Sequence, residues 1–70
     1  MRRSKEQIMM RILDLCREGR NKTTIVYQAN LNFRTVGPYL EVLVGKGYLE
    51  EQNGKYIISH SGKEVLECLA

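Results

Sequence analysis

The dipeptide Asn53-Gly54 constrains the fold of this chain more than any other feature of its sequence. Asn-Gly between two short segments of strand-forming residues is the strongest short-range signal for a β-hairpin with a two-residue turn. Such a turn pairs Leu49 with Ile58 and Glu51 with Tyr56 on one face of the hairpin. Because a lone hairpin is only marginally stable in water, that face must pack against other elements. The sequence therefore predicts a hairpin that covers a set of helices.

The segment before the hairpin begins with a well-marked helix. Ser4 and Gln7 match a capping box, in which each side chain satisfies the backbone N–H of the other residue at a helix start. Apolar residues then recur at helical spacing as far as Cys16, and Gly19 suits the left-handed conformation in which many helices end. These signals predict a first helix over 5–18.

Two further helices are predicted between this helix and the hairpin. A polar turn over 19–22 leads to Thr23 or Thr24, either of which can cap a short helix over 24–29. Asn30 tolerates a positive φ just beyond that helix. Asn32 is a good N-cap for a third helix over about 32–45.

The third helix contains Pro38, which removes a backbone hydrogen bond and crowds the preceding turn. Either the helix kinks at Gly37-Pro38 or its regular part starts nearer Thr35, and in both cases the turn over 32–37 is expected to be irregular. Tyr39 is expected to pack against the hairpin or a partner. The residues expected to face the core are Val36, Leu40, Leu43 and Val44.

A last helix, capped by Ser59, is predicted over 60–69. The order is then helix, short helix, tight turn, longer helix, hairpin and helix. The second and third helices form a helix-turn-helix, and the hairpin over 48–59 follows them as a wing. The predicted fold is α+β: one winged helix-turn-helix domain over 1–70, with a three-helix core, a two-stranded β-hairpin wing and a C-terminal helix.

Four motifs resemble the archaeal winged-helix transcriptional regulators and cover most of the chain. They are Ala29-Asn30-Leu31-Asn32, Tyr39-Leu40-Glu41-Val42-Leu43, Gly47-Tyr48-Leu49 and Tyr56-Ile57-Ile58-Ser59-His60-Ser61-Gly62. This family includes small dimeric archaeal chromatin proteins whose last helix extends into an antiparallel coiled coil. The resemblance implies the same fold and duplex DNA as a partner. Since the sequence ends at Ala70, a long coiled coil is not expected.

The charge distribution also favours an anionic partner. The 70 residues carry a formal net charge of +3; residues 1–22 have seven basic and three acidic side chains, or +4, against −1 for residues 23–70. A basic end on a small domain is typical of nucleic-acid binding, although a solvated helix face is the alternative. No apolar run approaches the roughly 20 residues that cross a bilayer, so no membrane partner is expected.

The side of the third helix that its core residues leave free is the predicted DNA-reading surface, placed in the major groove. Arg34 is the best candidate for base reading, because its guanidinium can pair with both acceptors of a guanine edge. Thr35 can bind a phosphate or contact a thymine methyl group, and Lys55 beside the hairpin turn can reach phosphate or the minor groove. The full set of predicted DNA-binding residues is Arg34, Thr35, Asn32, Phe33, Pro38, Lys55, Arg20, Lys22, Arg2 and Arg3.

Basic residues outside that helix are expected to grip the phosphate backbone. Arg20 and Lys22 precede the second helix, where they can act as a clamp. Arg2 and Arg3, together with Lys5, are expected to form a flexible N-terminal arm.

Cys16 and Cys68 stand where apolar residues would serve, so both are predicted to be buried free thiols, which fits a reducing cytoplasm. An inter-chain disulfide through Cys68 is the alternative. With one histidine, no cluster of metal ligands and no phosphate-cradling loop, the sequence offers no catalytic, metal or cofactor site. A protein that is not an enzyme is expected.

The leading functional prediction is a double-stranded DNA-binding transcriptional regulator. One module contacts only about three to five bases, so a homodimer on a two-fold site is expected, with the C-terminal helix and the first helix as its interface. The residues assigned to that interface are Leu66, Leu69, Met9 and Met10. The alternative is a winged-helix protein-interaction module, because the free surface also carries Phe33, Pro38, Tyr39, Glu41, Glu50 and Glu51.

Overall fold

The computed structural model describes residues 4–69, for Leu69 the backbone alone. Along this part of the chain the elements are α1 (Lys5–Leu15), a 3₁₀ turn (Cys16–Glu18), β1 (Arg20–Asn21), α2 (Lys22–Ala29), α3 (Phe33–Gly45), β2 (Leu49–Gln52), β3 (Lys55–Ile58) and α4 (His60–Leu69). The strands form one antiparallel sheet in the order β1-β3-β2. The α+β winged-helix architecture predicted from the sequence is confirmed, with one strand more than expected. Among residues 4–69, no helix combines the length and the apolar character needed to cross a bilayer.

The predicted capping box starts α1. The backbone N–H of Gln7 donates to Ser4 Oγ at 3.1 Å, and the backbone N–H of Ser4 donates to Gln7 Oε1 at 3.0 Å. The α-helix ends at Leu15, and the 3₁₀ turn continues it to Glu18, where Gly19 takes a φ of 76°. The predicted extent of 5–18 is confirmed, with its last turn tightened.

The prediction of a polar turn over 19–22 is wrong, because the two central residues of that segment form the strand β1 and Lys22 begins α2. Arg20 lies opposite Tyr56 and Asn21 opposite Lys55, which adds β1 to the free edge of β3. Two residues are too few to show the alternation of apolar and polar side chains by which strands are recognised in a sequence. The pairing joins the wing to the start of α2.

Asn21 also corrects the start of the second helix. Its side-chain oxygen accepts a hydrogen bond from the backbone N–H of Thr24 at 2.8 Å, so α2 begins at Lys22 and neither Thr23 nor Thr24 is the cap. Lys22 is therefore the first helical residue and not part of a preceding turn. Asn30 ends the helix with a φ of 56°, as its sequence position predicts.

Asn32 caps α3 as predicted, with its side-chain oxygen accepting from the backbone N–H of Thr35 at 2.7 Å. The helix begins at Phe33 and is assigned without a break to Gly45, although Pro38 lies inside it. A regular start nearer Thr35 is therefore wrong, whereas a kink at Gly37-Pro38 stays a prediction.

The hairpin has the predicted register. Leu49 pairs with Ile58 and Glu51 with Tyr56, and Asn53 and Gly54 both have positive φ values, as a two-residue turn of this kind requires. Leu49 and Ile58 join side chains of α1, α2 and α3 in the core. Val44 is the exception among the predicted core residues, because 37% of it remains exposed. The buried apolar residues are Ile12, Leu13, Cys16, Ile25, Val26, Ala29, Val36, Leu40, Leu43, Leu49, Ile58 and Leu66.

A tight junction connects the wing to α4. Ser59 Oγ accepts a hydrogen bond from the backbone N–H of Gly62 at 3.0 Å and donates one to the carbonyl oxygen of Gly47. The Ser59 backbone N–H donates to the carbonyl oxygen of Tyr48 at 2.9 Å. A Cβ at Gly62 would lie 2.2 Å from that same Tyr48 oxygen. Ser59 thus caps α4 as predicted, and the contact requires a glycine at position 62.

The two cysteines differ in environment. Cys16 is buried as predicted, but Cys68 is exposed on α4, so the prediction of a second buried thiol is wrong. Burial raises the pKa of the Cys16 thiol to about 11, and the charge of Arg20 opposes this rise only in part.

One thiol per native chain is expected to react rapidly with a disulfide reagent at pH 8, and Cys68→Ser should remove that phase. Denaturant should make Cys16 react as well, because only the thiolate attacks and burial disfavours it. The folded chain also retains the Cys16 proton up to about pH 11, whereas the unfolded thiol loses it near 9.0. Since the folded state then binds more protons than the unfolded state, the free energy of unfolding should fall as the pH rises between these two values. This fall should be smaller in Cys16→Ala. Two equally fast thiols in the native protein would contradict this placement.

Candidate nucleic-acid interface

The core-facing side of α3 determines which of its residues face outward. Val36, Leu40 and Leu43 are at most 2% exposed. The opposite side of the helix presents Arg34 and Pro38, both exposed and one turn apart. Because the other side of α3 is buried in the core, Arg34 and Pro38 in its first half face the solvent.

One flank of α3 borders the start of α1. Thr35, Pro38 and Val42 line a groove whose other wall includes Lys5 and Met9. Lys5 is the first residue of α1, directly after its cap, so the prediction that it belongs to a flexible arm is wrong. The sequence contained the signal for this, because a residue that follows an N-cap is helical.

Tyr39 lines the same groove and packs against the core. It therefore lies beside Met9 of α1, and packing of Tyr39 against the wing stays a prediction. Contact between Tyr39 and a partner stays a prediction.

The other flank of α3 faces the start of α2. A Cβ placed on Gly37 would lie 3.7 Å from Lys22 Nζ, so the ammonium group of Lys22 lies directly over α3. At 3.7 Å that Cβ would be in ordinary van der Waals contact with the ammonium group, so alanine would also fit at position 37. The position of Lys22 places one predicted DNA-binding cation beside the outward surface of α3, on the side opposite Lys5.

Arg34 and Arg20 differ in what they contact. Within residues 4–69, no carboxylate or hydrogen-bond acceptor engages the exposed Arg34 guanidinium. The half-buried Arg20 donates to the Gly19 carbonyl at 3.2 Å and to a Glu18 carboxylate oxygen at 3.4 Å. Arg34 is therefore available for a ligand, whereas part of the charge of Arg20 is neutralised within the chain.

The remaining predicted cations lie at the wing or outside the described residues. Lys55 is exposed at the start of β3, directly after the Asn53-Gly54 turn and opposite Gln52 of β2. Arg2 and Arg3 precede residue 4 and so lie outside the described part of the chain.

The second half of α3 has an acidic flank. Glu41 of α3 and Glu51 of β2 line a surface groove together with Val44 and Tyr56. Burial first, and then the negative charges of Glu51 and Glu41, raise the pKa of the Tyr56 hydroxyl. Basic groups therefore surround the first half of α3, and acidic groups lie beside its second half.

The predicted dimer interface is altered by the packing of α4. Leu66 is only 6% exposed because it packs into the core of its own chain, so its assignment to a subunit contact is wrong. Met9 and Met10 are half-buried against that core. The side chain of Leu69 lies outside the described part of the structure.

Comparison with known proteins places this architecture among related chains. The winged helix-turn-helix family matches residues 2–70. The uncharacterized protein MJ0287 of Methanocaldococcus jannaschii is 30% identical over 69 residues, which span 97% of this chain and 71% of that protein. The crystal structure of Sso10a-2, a DNA-binding protein from Sulfolobus solfataricus, aligns with a TM-score of 0.82 and 31% identity, over 96% of this chain and 74% of that one.

Proposed function

Because this chain belongs to the winged helix-turn-helix family, we propose that it binds double-stranded DNA with the first half of α3 in the major groove. The observation that carries the proposal is the arrangement of cations around that half-helix. Arg34 is unpaired within the described residues on its outward side, and Lys5 and Lys22 lie on its two flanks. The DNA-binding relative with 31% identity supports the same partner.

The cations have distinct tasks in this mechanism. Lys5, Lys22 and Lys55 neutralise phosphates and position the domain, without reading sequence. Arg34 reaches the base edges, where its guanidinium pairs with the two acceptors of a guanine. Glu41 repels phosphates, so phosphate contacts are concentrated in the first two turns of α3.

The regulatory role proposed for this protein requires more than one module. A single α3 reads about three to five bases, which is too few for a regulatory site, so we place two copies on a two-fold-symmetric sequence. The proposed subunit interface combines α1 and α4, with Met10 of α1 as its apolar contribution. Light scattering at micromolar concentration should give the mass of two chains.

Duplex affinity is expected to fall steeply with salt. If Lys5, Lys22 and Lys55 each neutralise one phosphate, the slope of log K against log salt is about −2.7 for each bound chain, or roughly a 40-fold loss between 50 and 200 mM. Fluorescence anisotropy with a labelled 20-base-pair duplex measures this slope. Combining Arg34→Ala with Lys55→Ala should make the slope shallower by about 1 for each bound chain, because Lys55 contacts phosphate, and should weaken binding further at every salt concentration, because Arg34 reads a base.

Lys46→Ala is the matched control for that experiment, because Lys46 is exposed directly after the last residue of α3, far from Arg34, and lies on neither α1 nor α4. Affinity that is independent of salt, or that survives the double substitution unchanged, would contradict the proposal. A chain that binds no duplex but forms a stable complex with another protein would support the alternative of a protein-interaction module.

A further inference from the structure

The outward surface of α3 is unusually poor in hydrogen-bonding groups for a helix that enters the major groove. Arg34 is the one basic residue of α3, and Glu41 is its one acidic residue. The Asn32 side-chain oxygen is occupied by its capping bond to the backbone of Thr35. Base reading by hydrogen bonds therefore depends mainly on a single guanidinium.

Apolar groups occupy the space that such donors and acceptors would take. Thr35, Pro38 and Val42 lie together along the α1 flank of α3, and 42% of Val42 is exposed; we call these three residues the apolar strip. Thr35 contributes a methyl group as well as its hydroxyl. The strip thus offers carbon atoms to whatever lies against α3.

Pro38 is the member of the strip that folding does not explain. Proline is the residue least favourable in a helix interior, because it lacks an N–H and crowds the preceding turn. Its ring is exposed, so no burial in the core compensates for this cost. A contact made only in a complex would account for an apolar ring at this position.

The charges around the strip identify its occupant. Lys5 lines the groove of the strip, and Lys22 Nζ lies over Gly37 on the opposite flank. An apolar surface between two cations is complementary to the floor of a groove bordered by two rows of phosphates. In the major groove, the apolar group that a base presents is the C5-methyl of thymine.

We propose that the apolar strip reads thymine methyl groups, so that this protein prefers sites with thymines next to the guanine bound by Arg34. This inference rests on the proposed DNA binding and names the bases that it selects. Discrimination comes from burying a methyl group against carbon atoms. A methyl group of this kind contributes about a fourfold difference in affinity.

Four labelled 20-base-pair duplexes test the proposal at constant salt. Two have the same sequence of alternating A·T and G·C pairs and differ only in thymine or deoxyuridine, and two are G·C duplexes that differ only in cytosine or 5-methylcytosine. Removing the thymine methyls should weaken binding about fourfold for each methyl contacted, and adding cytosine methyls should strengthen it.

Substitutions identify the strip as the origin of the effect. Pro38→Ala and Val42→Ala should each reduce the difference between the thymine and deoxyuridine duplexes. Val44→Ala is the matched control, because it makes the same change two residues away, on the acidic flank of α3. Pro38→Ala removes a helix-disfavouring residue and is expected to fold.

The outcomes separate this inference from the function on which it rests. Equal affinity for the duplexes with and without methyl groups, together with a steep salt dependence, would overturn the methyl readout and leave DNA binding in place. An equal effect of Val42→Ala and Val44→Ala would also overturn it. Failure to bind any of the four duplexes would overturn both proposals.

Discussion

Replacing Gly62 with alanine is expected to lower the free energy of unfolding by about 2–3 kcal/mol, the upper part of the range for overpacking. The added Cβ would lie 2.2 Å from the Tyr48 carbonyl oxygen and 2.7 Å from Ile58 Cγ1. The Tyr48 oxygen cannot move freely, because it accepts the Ser59 backbone N–H at 2.9 Å. Relief of the clash therefore has to displace α4 from the wing. Urea denaturation followed by circular dichroism measures the loss.

Gly45→Ala is the matched control for this substitution. Gly45 is also helical, but no atom lies within 4 Å of a Cβ built on it, and its φ is not positive. Alanine there should leave stability unchanged or raise it by about 0.5–1 kcal/mol, through helix propensity. Equal midpoints for the two variants would show that the junction at Gly62 yields without cost.

Lys22→Glu is expected to weaken duplex binding by about 100-fold at 50 mM salt. The substitution removes a phosphate contact and puts a carboxylate beside α3, where like charges that meet across an interface cost several kcal/mol. The fold should tolerate it, because an acidic residue at the start of α2 interacts favourably with the helix dipole. Anisotropy titration of a 20-base-pair duplex measures the affinity, and thermal unfolding confirms that stability is retained.

Lys46→Glu changes the net charge by the same amount at the end of α3 and is the control for the Lys22 variant. A loss of less than about tenfold is expected there, because Lys46 lies about 18 Å along the helix axis from Arg34 and the screening length at 50 mM salt is about 14 Å. If the two variants weaken binding equally, the affinity depends on overall charge and not on the position of Lys22 over α3.

Sequence reasoning succeeded in the candidate site where the controlling interaction is local. Asn32 was predicted to start α3, and that start, with the spacing of its apolar residues, is enough to place Arg34 and Pro38 outward. It did not place Tyr39 beside Met9, because the groove between them forms only when α1 packs against α3. The contact between Lys22 and Gly37 has the same origin, since two separate helices create it.

The features of this protein that its sequence determines by itself depend on interactions between residues only a few positions apart in the chain. The capping box at Ser4, the left-handed Asn30 and the register of the hairpin around Asn53-Gly54 all depend on hydrogen bonds and backbone conformations between near neighbours.

Only the tertiary structure decided which distant segments meet. The pairing of Arg20 with Tyr56 and the close approach of α4 to Tyr48 join residues that are far apart in the chain. The burial of Leu66 and the exposure of Cys68 depend on how the whole of α4 packs. Such contacts depend on the free energy of the assembled core and not on any short motif, so a single sequence carries no local signal for them.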